Sequence, residues 1–133
     1  MDAWLGGDLG TLYRWDGSNW NEQASGTAMA TVHIRGASSS KVWAIKSNSS
    51  IWFWNGTTWT AGSAYSSNNR LWFSSDKEGW VYGGSSAYRW NGTMWSYDGS
   101  STPALWSQSS TNAWSINSGD IYRFDGMRWS SAW

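Results

Sequence analysis

The sequence has no cysteine, one proline and one histidine among its 133 residues. The absence of cysteine excludes disulfides and thiolate metal sites, and it leaves the redox compartment open. With one histidine, neither a usual zinc site nor a Ser-His-Asp triad can be assembled. Glycosidase chemistry needs two facing carboxylates, and two of the nine acidic residues belong to predicted turns. We therefore expect no catalytic residue, no metal and no cofactor, and we predict a structural role for His33.

Charge is also scarce and balanced. Nine basic and nine acidic residues give a formal net charge of zero, and the basic residues are scattered. Nucleic acids and anionic membranes both require clustered positive charge, so we expect neither as a partner. No apolar run approaches the ~20 residues of a membrane span, so we expect no membrane insertion. The first ten residues do not resemble a signal peptide, and a cytoplasmic, an extracellular and a virion-associated location all remain open.

Aromatic residues, in contrast, are abundant, with 15 Trp, six Tyr and three Phe. Four segments combine them with Asn-Gly or Asp-Gly, the strongest short-range signal for a β-hairpin. The predicted hairpins are residues 12–20 (LYRWDGSNW), 51–59 (IWFWNGTTW), 87–95 (AYRWNGTMW) and 121–129 (IYRFDGMRW).

The hairpins belong to a repeat with three fixed aromatic positions. The last aromatic residue before Asx-Gly stands at positions 15, 54, 90 and 124, which are 39, 36 and 34 residues apart. A second Trp precedes it by ten or eleven residues, and a third follows it by five. The upstream residues are Trp4, Trp43, Trp80 and Trp114, and the downstream residues are Trp20, Trp59, Trp95 and Trp129.

Each repeat is typical of a small antiparallel sheet. Further strands are predicted at 31–36, 70–74 and 104–108, and loops at 21–30, 61–69 and 96–103. About four strands per repeat predict an all-β protein, a β-propeller whose blades pack on neighbouring blades. A β-sandwich or a solenoid built from the same hairpins is the alternative.

We predict one domain, residues 1–133, with repeat units 1–30, 31–68, 69–102 and 103–133. The first unit begins at its second strand, so it lacks the inner strand and fifteen strands are expected in all. The open edge of this incomplete blade is an association hazard. We therefore expect a homo-oligomer formed through the first blade.

The turn assignment divides each hairpin into two faces. A two-residue turn at Asp16 and Gly17 would place Trp15 opposite Ser18 and Tyr13 opposite Trp20. Because side chains alternate between faces, three aromatic residues of each hairpin share one face. These trios are Tyr13/Trp15/Trp20, Trp52/Trp54/Trp59, Tyr88/Trp90/Trp95 and Tyr122/Phe124/Trp129. They form either the core between blades or, where a ring face stays open, a stacking platform for a sugar.

The opposite face carries Arg14, Arg89 and Arg123 in three hairpins and Phe53 in the fourth. Each Arg either braces the neighbouring blade through hydrogen bonds or a cation–π contact, or donates to a ligand between blades. The Asx residues of the turns, Asp16, Asn55, Asn91 and Asp125, are predicted to serve the turn itself.

The repeat at residues 31–59, TVHIRGASSSKVWAIKSNSSIWFWNGTTW, resembles the tectonin repeat, and so does AWSINSGDIYRFDGMRW at residues 113–129. The shared features are an apolar strand, a V-W pair, an I-Y-R-[WF]-[DN]-G hairpin and a closing Trp. The resemblance implies a non-catalytic lectin that recognises glycans on microbial or cell surfaces through pockets between blades. Propellers of that family commonly have six blades, whereas this chain has four units.

Two interpretations of the function remain open. The first is a glycan-binding, lectin-like propeller, and the second is a structural or appendage subunit of a larger assembly such as a virion. If the pockets are lined by Arg, the one at Phe53 should bind poorly or not at all. The predicted glycan-binding residues are Arg14, Arg89, Arg123, Trp15, Trp54 and Trp90.

Overall fold

The structure, a computed structural model, describes residues 2–65, 70–84, 86–100 and 102–133. Strands dominate these ranges, and the helical element within them is a short 3-10 turn at Asp8–Gly10. The prediction of an all-β protein is confirmed.

The strands form four antiparallel sheets, and each sheet takes its strands in chain order. Sheet I contains β1 (Ala3–Gly6), β2 (Leu12–Trp15) and β3 (Trp20–Glu22). Sheet II contains β4 (Thr31–Ser38), β5 (Lys41–Lys46), β6 (Ser50–Trp54) and β7 (Trp59–Ala64). Sheet III contains β8 (Arg70–Ser75), β9 (Glu78–Tyr82), β10 (Ser86–Trp90) and β11 (Trp95–Ser100). Sheet IV contains β12 (Ala104–Ser109), β13 (Asn112–Asn117), β14 (Asp120–Phe124) and β15 (Trp129–Ser131).

In the described part of the chain, the predicted three-stranded first blade and the four-stranded second, third and fourth blades are therefore confirmed. The predicted strands at 31–36, 70–74 and 104–108 are present as β4, β8 and β12. The predicted loops are wrong at their starts, because β3, β7 and β11 extend past the closing Trp to Glu22, Ala64 and Ser100. Residues 66–69 and 101 of those predicted loops lie outside the described ranges.

The hairpin register predicted from a two-residue turn is wrong. Trp15 pairs with Trp20 rather than with Ser18, and Tyr13 pairs with Glu22 rather than with Trp20. The other hairpins have the same four-residue loop, with pairs Trp54↔Trp59, Trp90↔Trp95 and Phe124↔Trp129. The shift is two residues, so the assignment of side chains to faces is unchanged.

The Asx side chain explains the longer loop. Oδ1 of Asp16 accepts hydrogen bonds from the backbone N–H groups of Ser18 and Asn19, both at 2.8 Å. The glycine that follows Asx has a φ between +96° and +108° in all four loops, a conformation that glycine adopts without steric penalty. The predicted turn role is confirmed, because Asn55, Asn91 and Asp125 accept the equivalent pairs of bonds.

Each sheet presents two distinct faces. The upstream Trp of each repeat pairs across strands with the Arg or Phe of the hairpin, and we call the face that carries this pair the Trp-Arg face. The pairs are Trp4↔Arg14, Trp43↔Phe53, Trp80↔Arg89 and Trp114↔Arg123. The opposite face carries the aromatic trio, and we call it the trio face.

The chain divides into two compact units, Met1–Tyr65 and Ser66–Trp133, with two sheets in each. In the first unit, the Trp4 ring packs against Trp54 at 5.1 Å and against Trp59 at 5.3 Å between ring centroids. In the second unit, the Trp80 and Phe124 rings are 6.1 Å apart. In both units, therefore, the Trp-Arg face of the first sheet packs on the trio face of the second. The prediction of a single domain stays a prediction.

A cleft between sheets III and IV

A β-bulge positions the Asp98 carboxylate between sheets III and IV. Strands β10 and β11 pair Tyr88 with Tyr97 and Ala87 with Gly99, so Asp98 is an extra residue on β11. Gly99 follows it with a φ of +122°. Bulges redirect a side chain out of the regular alternation, and here the bulge presents Asp98 to sheet IV.

Asp98 connects the two sheets through indole N–H groups. Its Oδ2 accepts hydrogen bonds from Nε1 of Trp80 at 2.8 Å and from Nε1 of Trp129 at 3.0 Å. Trp80 belongs to sheet III and is fully buried, and Trp129 closes the last hairpin of sheet IV. Since buried indole N–H groups need an acceptor, one carboxylate satisfies a donor from each sheet.

Asp98 also lines an open cleft of about 530 Å³. Sheet III contributes Ala87 and Asp98 to its walls, and sheet IV contributes Asn117, Tyr122 and Trp129, with Met127 and Arg128 from the last hairpin turn. Tyr97 borders the cleft too, but its side chain lies on the trio face of sheet III, where it is 64% exposed and meets the Tyr88 ring edge-on at 5.8 Å.

The cleft holds complementary hydrogen-bonding groups. Asp98 is an acceptor, the Arg128 guanidinium is a donor, and Asn117 can be both. Tyr122 and Trp129 add aromatic surface. No nucleophile–base pair is evident among these residues, and the one histidine, His33, lies in β4 of the first unit. This arrangement is suited to holding a polar ligand that also has an apolar face.

Of the predicted glycan-binding residues, Arg89 acts as a brace. Its guanidinium binds both carboxylate oxygens of Glu78, at 2.6 and 3.2 Å, and donates to the backbone carbonyls of Ser110 and Gly126. The same group lies 4.6 Å from the centroid of the Phe124 ring, which belongs to sheet IV. These contacts fit the bracing alternative, and Arg89 does not line the cleft.

Arg14 is held in a similar way in the first unit. It forms an ion pair with Asp2 at 3.0 Å and lies over the rings of Trp4 and Trp54, at 5.7 and 5.8 Å. Arg123 differs, because it is exposed and its guanidinium lies over Trp114 at 5.7 Å. Within the described residues, that guanidinium has no hydrogen bond or ion pair.

The three predicted Trp residues lie in hairpins and line neither the cleft nor the second concavity described below. Trp54 is buried, and its Nε1 donates to the carbonyl of Ser39. Trp90 donates to the carbonyl of Asp76, and Trp15 packs on Trp20 at 5.5 Å. Of the six predicted residues, the structure brings together Arg14 and Trp54 and leaves the other four at separate places, and their role in binding stays a prediction.

The first unit lacks the equivalent of Asp98. Sheet I has no bulge after its closing Trp, since Gln23 continues the pairing by donating its backbone N–H to Leu12. Nε1 of Trp4 and Nε1 of Trp59 occupy the positions of the two Asp98 donors, and both are buried without a hydrogen-bond partner among the residues that the structure describes. A second concavity of about 470 Å³ in this unit is lined by Asp2, Trp4 and β4 residues including Arg35.

The sequence analysis places Tyr122 and Trp129 in the fourth aromatic trio, but it does not find Asp98. Asp98 lies in the segment 96–103, which is predicted as a loop. The bulge recurs in sheet II, where Trp52 pairs with Ala61 and Ser50 with Ala64, but Gly62 stands there in place of Asp98. The available signal was an acidic residue followed by glycine shortly after a closing Trp, in one unit of four.

Within the ranges that the structure describes, no helix is long and apolar enough to cross a membrane. The same ranges contain no group of three or more His, Asp or Glu side chains that could hold a metal ion.

Comparison with known proteins shows the fold. No protein-family model matches the chain, and no curated protein sequence matches it. Among solved structures, it is similar to YCF48 bound to D1 peptide, with a TM-score of 0.68 and 18% identity over 98% of this chain and 50% of that one. It is also similar to YCF48 from Cyanidioschyzon merolae, with a TM-score of 0.66 and 18% identity over 98% of this chain and 52% of that one. The chain spans about half the length of these β-propellers, and it has the β-propeller fold.

Proposed function

We propose that the chain is a non-catalytic, carbohydrate-binding propeller domain that holds a sugar in the cleft between sheets III and IV. The observation that carries this proposal is that two aromatic residues on the trio face of sheet IV, Tyr122 and Trp129, line the same cleft as the Asp98 carboxylate. Sugars pair C–H patches with aromatic faces and hydroxyl groups with acceptors and donors of this kind. The resemblance of the repeats to tectonin repeats supports a glycan as the ligand class.

A glycan array followed by titration of the best ligand tests the proposal. Tyr122→Ala should weaken binding at least tenfold, about 1.4 kcal/mol, whereas Tyr122→Phe should retain most of the affinity because the ring is kept. Tyr122 is half-buried, so the thermal unfolding midpoint of each variant is measured to show that it folds. A wild-type chain that binds no glycan, or a folded Tyr122→Ala with unchanged affinity, would contradict the proposal.

The sequence-predicted site can be tested in the same titration. If Arg123→Ala abolishes binding and Tyr122→Ala does not, the ligand is held at the exposed Trp-Arg face of sheet IV rather than in the cleft.

A protein or peptide segment is the second candidate ligand, because one of the similar propellers is described as bound to a peptide. Asp98, Asn117 and Arg128 could pair with backbone groups of an extended peptide as readily as with hydroxyl groups. A random peptide library screened against wild type and Tyr122→Ala separates the two classes. Peptide binding that depends on Tyr122, without glycan binding, would favour this candidate. If neither ligand class binds, the structural or appendage role predicted as the alternative is favoured.

A further inference from the structure

The Trp-Arg face of sheet IV is open, although the same positions are buried elsewhere in the chain. Trp114 is 36% exposed and Ile116 is 46% exposed, whereas their equivalents in sheet II, Trp43 and Ile45, are 1% and 0% exposed. Trp106 and Ile121 are exposed on the same face. Four large apolar side chains with Arg123 among them form a patch of the kind that marks an interaction site.

The trio face of sheet I is open as well. Leu5 is 55% exposed, whereas the residue at its position in sheet II, Ala44, is 0% exposed. Trp20 on the same face is also exposed, and Tyr13 and Trp15 are half-buried. Glu22, which pairs with Tyr13, gives this face one negative charge.

Inside each unit a Trp-Arg face packs against a trio face, and the two open faces are one of each kind. In the first unit, the Trp-Arg face of sheet I covers the trio face of sheet II, through Trp4 against Trp54 and Trp59. In the second unit, the Trp-Arg face of sheet III covers the trio face of sheet IV, through Arg89 over Phe124. By the exposure of their side chains, the last of the described sheets has an open Trp-Arg face and the first has an open trio face.

We propose that the Trp-Arg face of sheet IV binds the trio face of sheet I on a second copy of this chain. By analogy with the packing within the units, Trp114 would meet Trp15 and Trp20 of the partner subunit, and Arg123 would lie over Trp15 of the partner subunit. The contact supplies a second aromatic ring for the Arg123 guanidinium, as Phe124 does for Arg89.

Charge favours this head-to-tail pairing over pairing of identical faces. The sheet IV face carries Arg123, and the sheet I face carries Glu22. Two sheet IV faces in contact would bring two arginines into one apolar interface, and two sheet I faces would bring two glutamates together, which is unfavourable in each case.

The length of the similar propellers indicates how many copies are needed. This chain has four sheets and spans about half of those proteins, so two copies provide the same length of chain. Each copy contributes one face of each kind, and two head-to-tail contacts between two copies form a closed assembly. We therefore expect a closed dimer rather than an open-ended chain of copies.

Size-exclusion chromatography with light scattering on the chain tests the proposal. The wild type should have about twice the 14.9 kDa of one chain. Trp114→Glu and Trp20→Glu should each shift the protein toward a monomer, because each places a charge in both contacts of the dimer. Met94→Glu, in an exposed hairpin turn of sheet III, is the matched control and should remain a dimer.

Mixing the two interface variants identifies the faces. Trp114→Glu keeps an intact sheet I face and Trp20→Glu keeps an intact sheet IV face, so the mixture should form a heterodimer although neither variant dimerises alone. Trp106→Glu and Leu5→Glu repeat the test at more exposed positions if either first variant fails to fold.

Three results would overturn the proposal. A wild-type monomer at high concentration would show that no second copy covers these faces and that another chain or a further segment does so. A dimer disrupted by only one of the two variants would show pairing of identical faces. A dimer that survives both variants would place the contact elsewhere, for example at the strand edge of the first blade.

Discussion

At the scale of single residues, Asp98 shows how much one side chain changes a repeated interface. In the second unit its carboxylate accepts from Trp80 and Trp129. In the first unit the equivalent indoles, Trp4 and Trp59, are buried without an acceptor among the described residues. An unsatisfied buried donor costs about 1–3 kcal/mol, so the sheet pair with Asp98 should be the better stabilised of the two.

Asp98→Ala should therefore destabilise the second unit by about 2–3 kcal/mol, since it orphans two indole donors. Asp98→Asn keeps an acceptor oxygen, so its loss of stability should be smaller. Urea unfolding monitored by Trp fluorescence measures both changes. Equal losses for the two variants would mean that the charge of Asp98, rather than its acceptor oxygen, stabilises the fold.

Lys46 is a residue that no sequence pattern singled out. Its side chain is fully buried, its Nζ donates to Oγ1 of Thr31 at 2.8 Å, and the ammonium group lies 5.8 Å from the Trp52 ring. Desolvation lowers the pKa of Lys46 below its ordinary value of 10.5, because burial disfavours the charged form. The charged amine at neutral pH therefore opposes folding.

Lys46→Met should raise the free energy of unfolding at pH 7 by up to about 1 kcal/mol. The folded-state pKa of Lys46 is depressed, so the wild type gains stability as the pH rises from that pKa toward 10.5. The stability advantage of Lys46→Met over the wild type should therefore become smaller in this pH range. Urea titrations at several pH values measure this, with the exposed Lys77→Met as control. A less stable Lys46→Met at pH 7 would show that the bond to Thr31 outweighs the desolvation of the charge.

At the scale of elements, the hairpin is a four-residue loop fixed by an Asx side chain at its first position. The pKa of Asp16 is lowered by the N–H groups of Asn19 and Ser18, and that of Asp125 by those of Arg128 and Met127. The ionised carboxylate is the better acceptor in each case. Two of the four loops use Asn instead and make the same bonds without a titrating group.

The Asp16→Asn/Asp125→Asn double variant should consequently keep all four hairpins and lose part of the acid sensitivity. A depressed carboxyl pKa contributes stability above the unfolded value of 3.8, and this contribution disappears as the pH falls through the folded-state pKa. Thermal unfolding between about pH 5 and 2 should give a flatter curve for the variant. Asp16→Ala is the control that removes the acceptor itself, and it should be destabilised at every pH.

The hairpins also show what could be predicted from sequence and what could not. The predicted pair Trp15↔Ser18 and the observed pair Trp15↔Trp20 differ by two residues. Because side chains alternate between faces, an even shift leaves each side chain on its predicted face. The sequence could not decide whether Arg89 braces the neighbouring sheet, because that role depends on Glu78 and on carbonyl groups from another sheet. The cleft was not predictable, since the bulge recurs in sheet II but has Gly62 there instead of Asp98, and periodicity detects only what recurs.

At the scale of the whole molecule, the repeat accounts for four sheets that each carry two kinds of face. Repeat architectures gain stability from contacts between neighbouring units, and their end units need a cover. Sheets I and IV expose the faces that their equivalents bury, so the stability of the chain should depend on what covers them.

If a second copy is that cover, thermal stability should depend on protein concentration. A hundredfold increase in concentration should raise the midpoint of the wild type by roughly 5 °C, because mass action favours the folded dimer. Trp114→Glu, with the interface disrupted, should show no such dependence. Differential scanning calorimetry measures both, and a wild-type midpoint independent of concentration would indicate a folding unit of one chain.

The paired indole rings beside the turns also determine the circular dichroism of the protein. Trp15/Trp20, Trp54/Trp59 and Trp90/Trp95 lie 5.5–5.9 Å apart and are inclined by 46–52°. Indole transitions at this separation and inclination couple as excitons and produce strong bands of opposite sign in far-ultraviolet circular dichroism. Those bands overlap the weak signal of β-strands, so a conventional reading of the spectrum would misjudge the strand content. The same bands report on the pairing of each hairpin, which makes them a direct probe of hairpin formation during folding.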